Sequence, residues 1–360
     1  MKKIVLSGGG TGGHIYPALA IKEIISTGLS EPAEFLYIGQ PDGMESKIVP
    51  REAGVSFAGA RAQGMPRDIS MKWFTFPVKN LMGISDAYSY LKSFSPDLVV
   101  TTGGFVAFPV LLASKLLGFK FAIHEQNAAM GVTNRLFASS ASKIMLTYSG
   151  SYPSSEKVAV TGNPVRKVFS EKFTGKGLIQ KNPDNFVILF TGGSRGASSI
   201  NKACVDLASE WLESHPEVII IQITGERDYQ NTVEKVKNTA RHKVYPYLHE
   251  MREAFEVSDI IVSRAGATIL AEIGCLGKPA ILIPYPFATD NHQEKNARVL
   301  EEAEAAKIIL DRELNCISLK NTIESCMNKA LLNKMSERMK NSRPINVEER
   351  IFDALKPLLF

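Results

Sequence analysis

The sequence predicts an α/β protein built from two Rossmann-like, doubly wound domains. Short apolar runs typical of buried strands alternate with helical patterns along the 360 residues. A strand, a glycine-rich turn and a helix open the chain at residues 3–25, and the same succession returns at 186–197 after a polar, irregular segment. Two such openings predict two domains that face each other across a ligand-binding cleft. We expect domains at 1–162 and 163–340, with a C-terminal helix at about 341–360 that packs back on the first.

Composition indicates an ordinary soluble globular protein, because 44% of the residues are hydrophobic and 22% are charged. The four cysteines (Cys204, Cys275, Cys316 and Cys326) show no C-x-x-C spacing, which favours free thiols in a reducing compartment over a metal site. The chain begins Met-Lys-Lys and enters a strand at once, and no apolar run reaches about eighteen residues. We therefore expect a cytoplasmic protein.

The opening strand, Lys3–Ser7, leads into a glycine-rich turn at residues 8–13 and then into His14 and a helix. A glycine turn between a strand and a helix is typical of phosphate binding, because the backbone N–H groups at a helix start attract anions. A dinucleotide fold would add an acidic residue after the second strand, to hold the ribose. Here the strand Glu34–Ile38 ends in Gly39 and Gln40. Nicotinamide binding is therefore disfavoured.

Further strands of the first half are predicted at 55–58, 98–101, 119–123, 144–147 and from Val158, and helices at 81–91 and from Gly104 to Leu117. Polar residues follow one of these strands as His124-Glu125-Gln126-Asn127, where open α/β sheets bind their ligands. For His124 the alternative is a hydrogen bond that closes a loop. Both interpretations stay open from the sequence.

The segment Met71–Met82 mixes bulky aromatic and aliphatic residues with lysine, and Arg61 and Arg67 precede it. This mixture suits a surface that meets anionic lipid headgroups. The alternative is that the apolar side chains pack under the next helix. The formal net charge of +5 fits an anionic substrate or surface but is too weak to predict a nucleic acid partner.

The second half carries two strand-to-helix junctions within residues 263–297. At the first, Arg264 precedes a helix predicted from Thr268 to Cys275, and Glu272 on that helix could accept hydrogen bonds from two neighbouring hydroxyls. The second junction opens with Asp290, Asn291 and Gln293, which suit sugar hydroxyls or, for the first two, helix capping. Phosphate, ribose and sugar contacts are thus predicted side by side.

Six motifs in order resemble the MurG family of bacterial glycosyltransferases: residues 9–14 (GGTGGH), 124–127 (HEQN), 162–166 (GNPVR), 192–197 (GGSRGA), 263–267 (SRAGA) with Glu272, and 290–293 (DNHQ) with Asn296 and Ala297. The resemblance covers essentially the whole chain. It implies a GT-B architecture and transfer of N-acetylglucosamine from UDP-N-acetylglucosamine to the lipid-linked muramoyl-pentapeptide (lipid I), which gives lipid II for peptidoglycan. It further implies a peripheral protein on the cytoplasmic side of the bacterial inner membrane.

The resemblance also implies roles for residues. Glu272 would hold the ribose hydroxyls, Ser194 the diphosphate, and the backbone at Leu248 the uracil edge, with Arg166 near the nucleotide. Gln293, Asn127 and the start of the helix at Ala267 and Thr268 would meet the N-acetylglucosamine. Thr11, Gly12 and Gly13 would lie near the diphosphate of the acceptor. Arg195 and Phe105 depart from residues common in the family, glutamine and tyrosine.

The implied reaction inverts the anomeric carbon and needs a base for the acceptor hydroxyl. A histidine, with an ordinary pKa of about 6.5, is the natural candidate, and we predict His14, which could instead only bind phosphate or backbone. Helix N-termini and Arg264 would stabilise the leaving group, so no cofactor is required, although a divalent metal ion could stimulate turnover. Competing functions are a UDP-N-acetylglucosamine 2-epimerase of the same architecture, a transferase for another sugar or acceptor, and a nucleotide-sugar binding module.

Overall fold

The structure is a computed structural model that describes residues 1–66, 72–175, 177–193, 196–236, 240–248 and 250–360. The chain divides into two compact units, each with its own parallel sheet, which agrees with the predicted fold class. Unit 1 comprises Met1–Arg166 and Pro344–Phe360, and unit 2 comprises Lys167–Arg343. The chain therefore leaves the first unit after Arg166 rather than after Gly162, and returns to it at Pro344.

Unit 1 contains a seven-stranded sheet in the order β3-β2-β1-β4-β5-β6-β7, in which every neighbouring pair is parallel. Its strands are β1 (Lys2–Ser7), β2 (Ala33–Gly39), β3 (Ser56–Gly59), β4 (Leu98–Thr101), β5 (Phe121–Glu125), β6 (Lys143–Leu146) and β7 (Val158–Val160). Its helices are α1 (Gly12–Gly28), α2 (Glu45–Ile48), α3 (Lys72–Phe94), α4 (Ala107–Leu117), α5 (Val132–Phe137) and, at the C-terminus, α14 (Val347–Leu359). Short 3-10 turns occur at Val49–Arg51 and Ala138–Ser140.

Apolar layers cover both faces of this sheet, which explains why its central strands are apolar throughout. Ile4 and Leu6 of β1 are fully buried in a cluster with side chains of α1 and α14. Val5, on the opposite face of the same strand, is buried with side chains of α3 and α4. The carboxyl ends of β1, β4 and β5 meet at one edge, since parallel strands share their direction.

Unit 2 contains a six-stranded parallel sheet in the order β10-β9-β8-β11-β12-β13. Its strands are β8 (Phe186–Thr191), β9 (Val218–Ile223), β10 (His242–Tyr245), β11 (Ile260–Ser263), β12 (Ala280–Leu282) and β13 (Ala306–Ile308). Its helices are α6 (Lys167–Ser170), α7 (Ser198–Ser214), α8 (Glu226–Val233), α9 (Met251–Val257), α10 (Ala267–Leu276), α11 (His292–Glu302), α12 (Cys316–Cys326) and α13 (Lys329–Asn341), with 3-10 turns at Thr289–Asn291 and Asp311–Glu313. A buried cluster joins Ile188 and Phe190 of β8 to α7 and α12.

The two places where the chain crosses between units lie together in unit 1. Gly162 adopts φ = +83°, and a Cβ built on it would lie 2.8 Å from Val347 and 3.2 Å from Pro344. Only glycine accepts both this backbone conformation and this close approach. The turn that follows β7 therefore packs directly on the residues with which the chain re-enters the unit.

Three predicted elements differ from the structure. Helix α3 begins at Lys72, so the predicted loop 71–82 is helical from Lys72 onward, while Met71 lies outside the described residues. Strand β5 continues to Glu125, because His124 and Glu125 pair with Met145 and Leu146. The apolar run Ile308-Ile309-Leu310 predicts a last strand for unit 2, but strand β13 ends at Ile308. Within the described part of the chain, no helix is both long and apolar enough to cross a bilayer.

Candidate active site

The glycine turn after β1 binds a carboxylate of the protein itself. Glu45, which is fully buried, accepts hydrogen bonds from the backbone N–H groups of Gln40 (3.0 Å) and Gly10 (3.5 Å). A Cβ on Gly9 would lie 2.3 Å from Glu45 Oε1, so glycine is required there for contact with the carboxylate. The prediction that this turn cradles phosphate stays a prediction, and at Gly10 the N–H group meets Glu45. The sequence analysis missed Glu45, which lies thirty-five residues away and matches no motif.

The helix that follows begins close to the same edge of the sheet. Thr11 has an extended backbone at the N-cap of α1, and its carbonyl accepts the N–H groups of His14 and Ile15. Gly12 and Gly13 form the first turn of this 17-residue helix. The N-terminus of α1 thus supplies a positive dipole end at the predicted acceptor-side residues, which is suited to an anionic group.

His14 is held at one ring nitrogen by acceptors. Its Nδ1 lies 2.8 Å from the carbonyl of Thr102 and 3.2 Å from Gln126 Oε1. The hydroxyl of Thr102 in turn donates to the carbonyl of His14 at 2.8 Å, which locks the helix start onto the segment after β4. Because a carbonyl cannot donate, Nδ1 carries the proton and Nε2 holds the lone pair. In the neutral ring Nε2 is therefore the nitrogen that could take a proton from a hydroxyl.

His124 closes a loop, as one of the two interpretations predicted. The ring is fully buried, its Nε2 donates to the carbonyl of Gly162 at 3.0 Å, and its Nδ1 accepts from the amide of Gln126 at 3.0 Å. Burial lowers the pKa of His124 to about 4, which outweighs the hydrogen bond to Gly162 and the nearby charge of Glu125. This histidine is neutral at physiological pH.

Asn127 is oriented by the carboxylate of Glu125. Glu125 Oε1 accepts from the backbone N–H of Asn127 (3.1 Å) and from its side-chain amide (3.0 Å). Glu125 Oε2 accepts from the N–H of Gly131 (2.9 Å) and the amide of Asn134 (2.8 Å). The two hydrogen bonds to Glu125 thus fix the Asn127 amide with its nitrogen turned toward that carboxylate.

Arg166 belongs to unit 1, not to the second domain in which the predicted boundary placed it. Its guanidinium lies over the ring of Tyr16, 5.1 Å from the ring centroid. This cation–π contact holds the positive charge of Arg166 close to helix α1. The partner, Tyr16, lies two residues after His14 in the chain. The contact of Arg166 with a nucleotide stays a prediction.

The first turns of α3 expose a set of apolar side chains. Trp73 is 48% exposed and Phe74 is 74% exposed, and Val78, Leu81 and Met82 are also exposed. Phe74, Val78 and Leu81 share one helix face, since they are spaced by four and three residues. The alternative prediction, that these side chains pack under the next helix, is wrong. Arg67 and Met71 lie outside the described residues.

In unit 2, the turn after β8 leads into α7. A Cβ on Gly196 would lie 2.1 Å from the carbonyl of Thr224, and Gly196 has φ = +72°, so glycine is required for this close approach of two strand ends. Ser194 and Arg195 lie outside the described residues, so the diphosphate role of Ser194 stays a prediction. Leu248, predicted to read the uracil edge, lies half-buried in the segment after β10.

Arg264 is held by contacts within unit 2. Its guanidinium donates to Asp311 Oδ1 at 2.5 Å, to Ser199 Oγ at 2.9 Å and to the carbonyl of Ile283 at 3.1 Å. The ring of Tyr285 lies against it, 5.5 Å from centroid to guanidinium carbon. The charge is thus paired with Asp311, and the side chain joins the ends of β11 and β12 to α7. Its role as a cation for the leaving group stays a prediction.

Helix α10 begins with Ala267 and Thr268, and Gly266 is its N-cap. Glu272 lies on the second turn of this helix and is only 5% exposed. Its apolar neighbours Ile269, Leu270 and Ile273 predict a partly buried helix here, and the structure buries Glu272. A carboxylate can accept hydrogen bonds from two adjacent hydroxyls, and this role of Glu272 stays a prediction.

Gln293 connects the segment after β11 to the segment after β12, the two strand-to-helix junctions that the sequence predicts. Its Oε1 accepts from the backbone N–H groups of Ala265 (3.2 Å) and Tyr285 (3.0 Å), so its NH₂ group is the part that can donate to a sugar. Asp290 and Asn291 both have positive φ (52° and 53°), which is unusual for residues other than glycine. Asn291 makes no side-chain cap of α11 and donates instead to Glu294 Oε2 at 2.7 Å, so the capping prediction is wrong for it.

The residues predicted for the site divide between the two units. Unit 1 holds Thr11, Gly12, Gly13, His14, Asn127 and Arg166, and unit 2 holds Leu248, Arg264, Ala267, Thr268, Glu272 and Gln293. Among the described residues, no three His, Cys, Asp or Glu side chains are grouped as a metal ion would need. The expectation that no metal ion is required stays a prediction.

Family models agree with this division. The N-terminal domain of glycosyltransferase family 28 matches residues 4–146, and its C-terminal domain matches residues 187–351. The UDP-N-acetylglucosamine–N-acetylmuramyl-(pentapeptide) pyrophosphoryl-undecaprenol N-acetylglucosamine transferase of Desulfitobacterium hafniense is 42% identical over 347 residues, 93% of each chain.

Solved structures show the same likeness. The crystal structure of Acinetobacter baumannii MurG superposes with a TM-score of 0.77 at 26% identity, over 99% of this chain and 100% of that chain. A putative UDP-N-acetylglucosamine 2-epimerase of Listeria monocytogenes has a TM-score of 0.70 at 14% identity, over 99% and 96% of the chains, which shows a shared fold alone. The chain belongs to glycosyltransferase family 28 and, within it, to the MurG family of N-acetylglucosamine transferases.

Proposed function

We propose that this chain transfers N-acetylglucosamine from UDP-N-acetylglucosamine to the 4-hydroxyl of the muramoyl residue of undecaprenyl-diphospho-muramoylpentapeptide, lipid I, and so forms lipid II for peptidoglycan. The observation that carries the proposal is the near full-length likeness to transferases named for this reaction, at 38% to 42% identity. The geometry of His14 agrees with it, because the transfer needs a base and Nε2 of the neutral ring could take a proton.

In the proposed reaction His14 acts as the general base. The acceptor hydroxyl attacks the anomeric carbon on the face opposite to UDP, and its proton passes to Nε2 of His14. The carbon–oxygen bond to the diphosphate breaks, and UDP leaves with that electron pair. Nδ1 keeps its proton throughout, since the carbonyl of Thr102 accepts from it at 2.8 Å. General base catalysis of this kind contributes roughly 10²–10⁴-fold to a rate.

Unit 2 would bind the donor. Glu272 would accept hydrogen bonds from both ribose hydroxyls, since one carboxylate can accept from two adjacent donors. The NH₂ group of Gln293, oriented by the N–H groups of Ala265 and Tyr285, would donate to a hydroxyl of the N-acetylglucosamine. The N-terminus of α10 at Ala267 and Thr268 would stabilise negative charge nearby.

Three further donor contacts follow from the family likeness. The backbone at Leu248 would read the uracil edge, and Ser194 would hold the diphosphate. Asn127, whose amide is fixed by Glu125, would meet the transferred sugar.

Unit 1 would bind the acceptor at the membrane surface. The exposed face of α3 would enter the headgroup region, with Trp73, Phe74 and Leu81 providing apolar contact and Lys79 the attraction to anionic lipid. The N-terminus of α1 at Gly12 and Gly13 would meet the acceptor's diphosphate. With these contacts the protein would lie at the cytoplasmic face of the inner membrane as a peripheral enzyme.

UDP release tests the reaction. The purified chain is given UDP-N-acetylglucosamine with and without a soluble analogue of lipid I, and products are examined for the disaccharide. We expect release that depends on the acceptor, with disaccharide formed in equal amount. Epimerised sugar, or release that ignores the acceptor, would support the 2-epimerase instead.

The role of His14 is tested in the same assay. His14→Ala should lower kcat by about 10²-fold or more. His215→Ala is a matched control, because His215 Nδ1 also contacts a backbone carbonyl, that of Trp211 at 3.0 Å, but lies in unit 2 at the end of α7. Equal losses in the two variants would remove His14 as the base.

A further inference from the structure

A chain of three hydrogen bonds links Gly162 to His14 through His124 and Gln126, and the donor of each bond can be assigned. The carbonyl of Gly162 can only accept, so Nε2 of His124, 3.0 Å away, carries that ring's proton. Because burial lowers the pKa of His124 to about 4, the ring is neutral near pH 7 and its Nδ1 is an acceptor. The group that lies 3.0 Å from this Nδ1 must therefore be the NH₂ group of Gln126.

The orientation of Gln126 then decides what His14 meets. The same NH₂ group donates to the carbonyl of His124 at 2.9 Å, a second contact that excludes the flipped amide. With the nitrogen on this side, Oε1 of Gln126 faces His14 Nδ1 at 3.2 Å. Nδ1 thus has two acceptors, Gln126 Oε1 and the Thr102 carbonyl, and the ring is anchored at two points rather than one.

We propose that Gln126 and His124 are positioning residues for proton transfer, which hold His14 with its proton on Nδ1 and its Nε2 lone pair ready for the acceptor hydroxyl. The inference rests on the proposed function, because it deepens the role of His14 as base. A ring with the proton on Nε2 would present an N–H group to the hydroxyl and could not take its proton. Thr102 alone would leave the ring free to turn about a single contact.

Burial makes the chain of bonds difficult to replace by solvent. His124 is 0% exposed and Gln126 is 1% exposed. A lost partner in such a place is not restored by water, and an unpaired buried polar group is destabilising. The chain of hydrogen bonds ends at the backbone carbonyl of Gly162. This glycine has φ = +83° and lies too close to Pro344 and Val347 to carry a side chain. The orientation of His14 is therefore set by rigid parts of unit 1.

A double-mutant cycle tests whether Gln126 acts through His14. In the full-length protein, Gln126→Leu should lower kcat about tenfold, while KM for donor and acceptor analogue change less than about twofold. In the His14→Ala background the same substitution should change the residual kcat less than about twofold. Equal losses in both backgrounds would overturn the proposal.

The cycle also separates this proposal from the proposed function. If His14→Ala by itself keeps the full rate, the base role fails and the proposal falls with it. If His14→Ala is nearly inactive but Gln126→Leu is fully active, the base role stands and only the positioning role is overturned.

Nitrogen-15 NMR with selectively labelled histidine reads the tautomer directly, and the six histidines keep the spectrum simple. The His14 signals are assigned by their loss in His14→Ala. We expect a protonated Nδ1 and an unprotonated Nε2 in the unchanged protein, and His14 nitrogen signals altered by the freer ring in Gln126→Leu. Unchanged His14 signals in the variant would overturn the proposal.

A matched control exists in unit 2. Gln222 is fully buried and its Oε1 accepts from His242 Nε2 at 2.8 Å, so Gln222→Leu breaks a buried glutamine–histidine bond of the same kind. Gln222→Leu should leave the His14 signals unchanged. Urea unfolding of both variants shows whether their losses of stability are comparable. Altered His14 signals in Gln222→Leu would show that the spectrum reports general damage, and would overturn the assignment to Gln126.

Discussion

Arg264 and Asp311 form an ion pair of 2.5 Å between the end of β11 and the turn after β13, with side chains only 11% and 21% exposed. Asp311→Ala should lower the free energy of unfolding by roughly 3 kcal/mol, because it leaves a nearly buried guanidinium without its carboxylate. Urea denaturation measures the change. Glu313→Ala is the control, since its pair with Arg312 is exposed (79% and 58%) and should cost less than about 0.5 kcal/mol. Similar losses in both variants would contradict the structural role of Arg264.

Gly9 is expected to tolerate no side chain. Gly9→Ala would place a Cβ 2.3 Å from Glu45 Oε1 and 2.8 Å from Val106, so the buried carboxylate must move away from the turn. We expect a loss of roughly 2 kcal/mol or more in unfolding free energy. Gly64→Ala is the control, because the nearest atom to its Cβ, on Phe105, lies at 3.5 Å, an ordinary contact distance. A stable Gly9→Ala protein would show that Glu45 does not pack against the turn in this way.

Stability should fall as the pH drops from about 6.5 to about 4. Burial lowers the pKa of His124 and of His242 from 6.5 to about 4. Below pH 6.5 the unfolded chain therefore binds protons that the folded protein does not bind, which favours unfolding until the folded pKa is reached. Each histidine contributes roughly 2–3 kcal/mol to this change. Unfolding free energies measured across this range give the slope.

His242→Leu tests that assignment without touching the proposed base. The slope between pH 6.5 and 4 should fall by about half, whatever the variant's stability at pH 7. A surface substitution, His292→Leu, serves as the control for the loss of a histidine. A slope in His242→Leu equal to that of the unchanged protein would contradict the buried neutral imidazole.

The exposed face of α3 should carry membrane association. Trp73→Ser with Phe74→Ser should weaken binding to anionic vesicles about tenfold or more, because burying one large apolar side chain contributes about 1.5–3 kcal/mol. Sedimentation with the vesicles gives the bound fraction, and added salt should weaken binding of the unchanged protein. Phe287→Ser is the matched control, since Phe287 in unit 2 is 70% exposed, against 74% for Phe74. Unaltered vesicle binding in the double variant would exclude this face.

Glu272 should sense the ribose hydroxyls. Glu272→Gln should raise KM for UDP-N-acetylglucosamine about tenfold, since one charged acceptor for two hydroxyls is lost. A donor that lacks the 2′-hydroxyl should bind more weakly than the normal donor to the unchanged protein. This loss should be no larger than the loss that Glu272→Gln causes for the normal donor. Glu294→Gln on α11 controls for the loss of a carboxylate. A variant that still discriminates between the two donors would place the ribose elsewhere.

Local sequence patterns were sufficient for the sheets of both units. The apolar runs of β1 and β8 and the glycine turns after them are short-range signals that a sequence carries. The sequence analysis did not predict the start of α3, because Pro77 and a cluster of aromatic residues are not typical of a helix. The helix tolerates Pro77 in its second turn, where Asn80 donates to the carbonyl of Phe76 at 2.8 Å.

The contacts that organise the candidate site were beyond sequence patterns. Thr102 lies 88 residues from His14, and Asp311 lies 47 from Arg264, and only the order of strands brings each pair together. Arg264 was therefore predicted as a phosphate ligand from its place before a helix, without knowledge of the carboxylate that neutralises it. Gln126 was visible in the His-Glu-Gln-Asn motif, but its function depends on which way its amide points, and a sequence does not specify that.

Because Gly162 packs close to Pro344 and Val347, unit 2 is a domain that could be exchanged as a whole. Its sequence is a single continuous segment, and unit 1 receives both of its ends at one point. A few flexible residues in place of Lys167–Arg343 would therefore restore a continuous first unit without rerouting α14. We expect chimaeras that carry the second unit of another family 28 enzyme at the same two positions to change the sugar nucleotide while they retain the first unit, which we propose binds the acceptor.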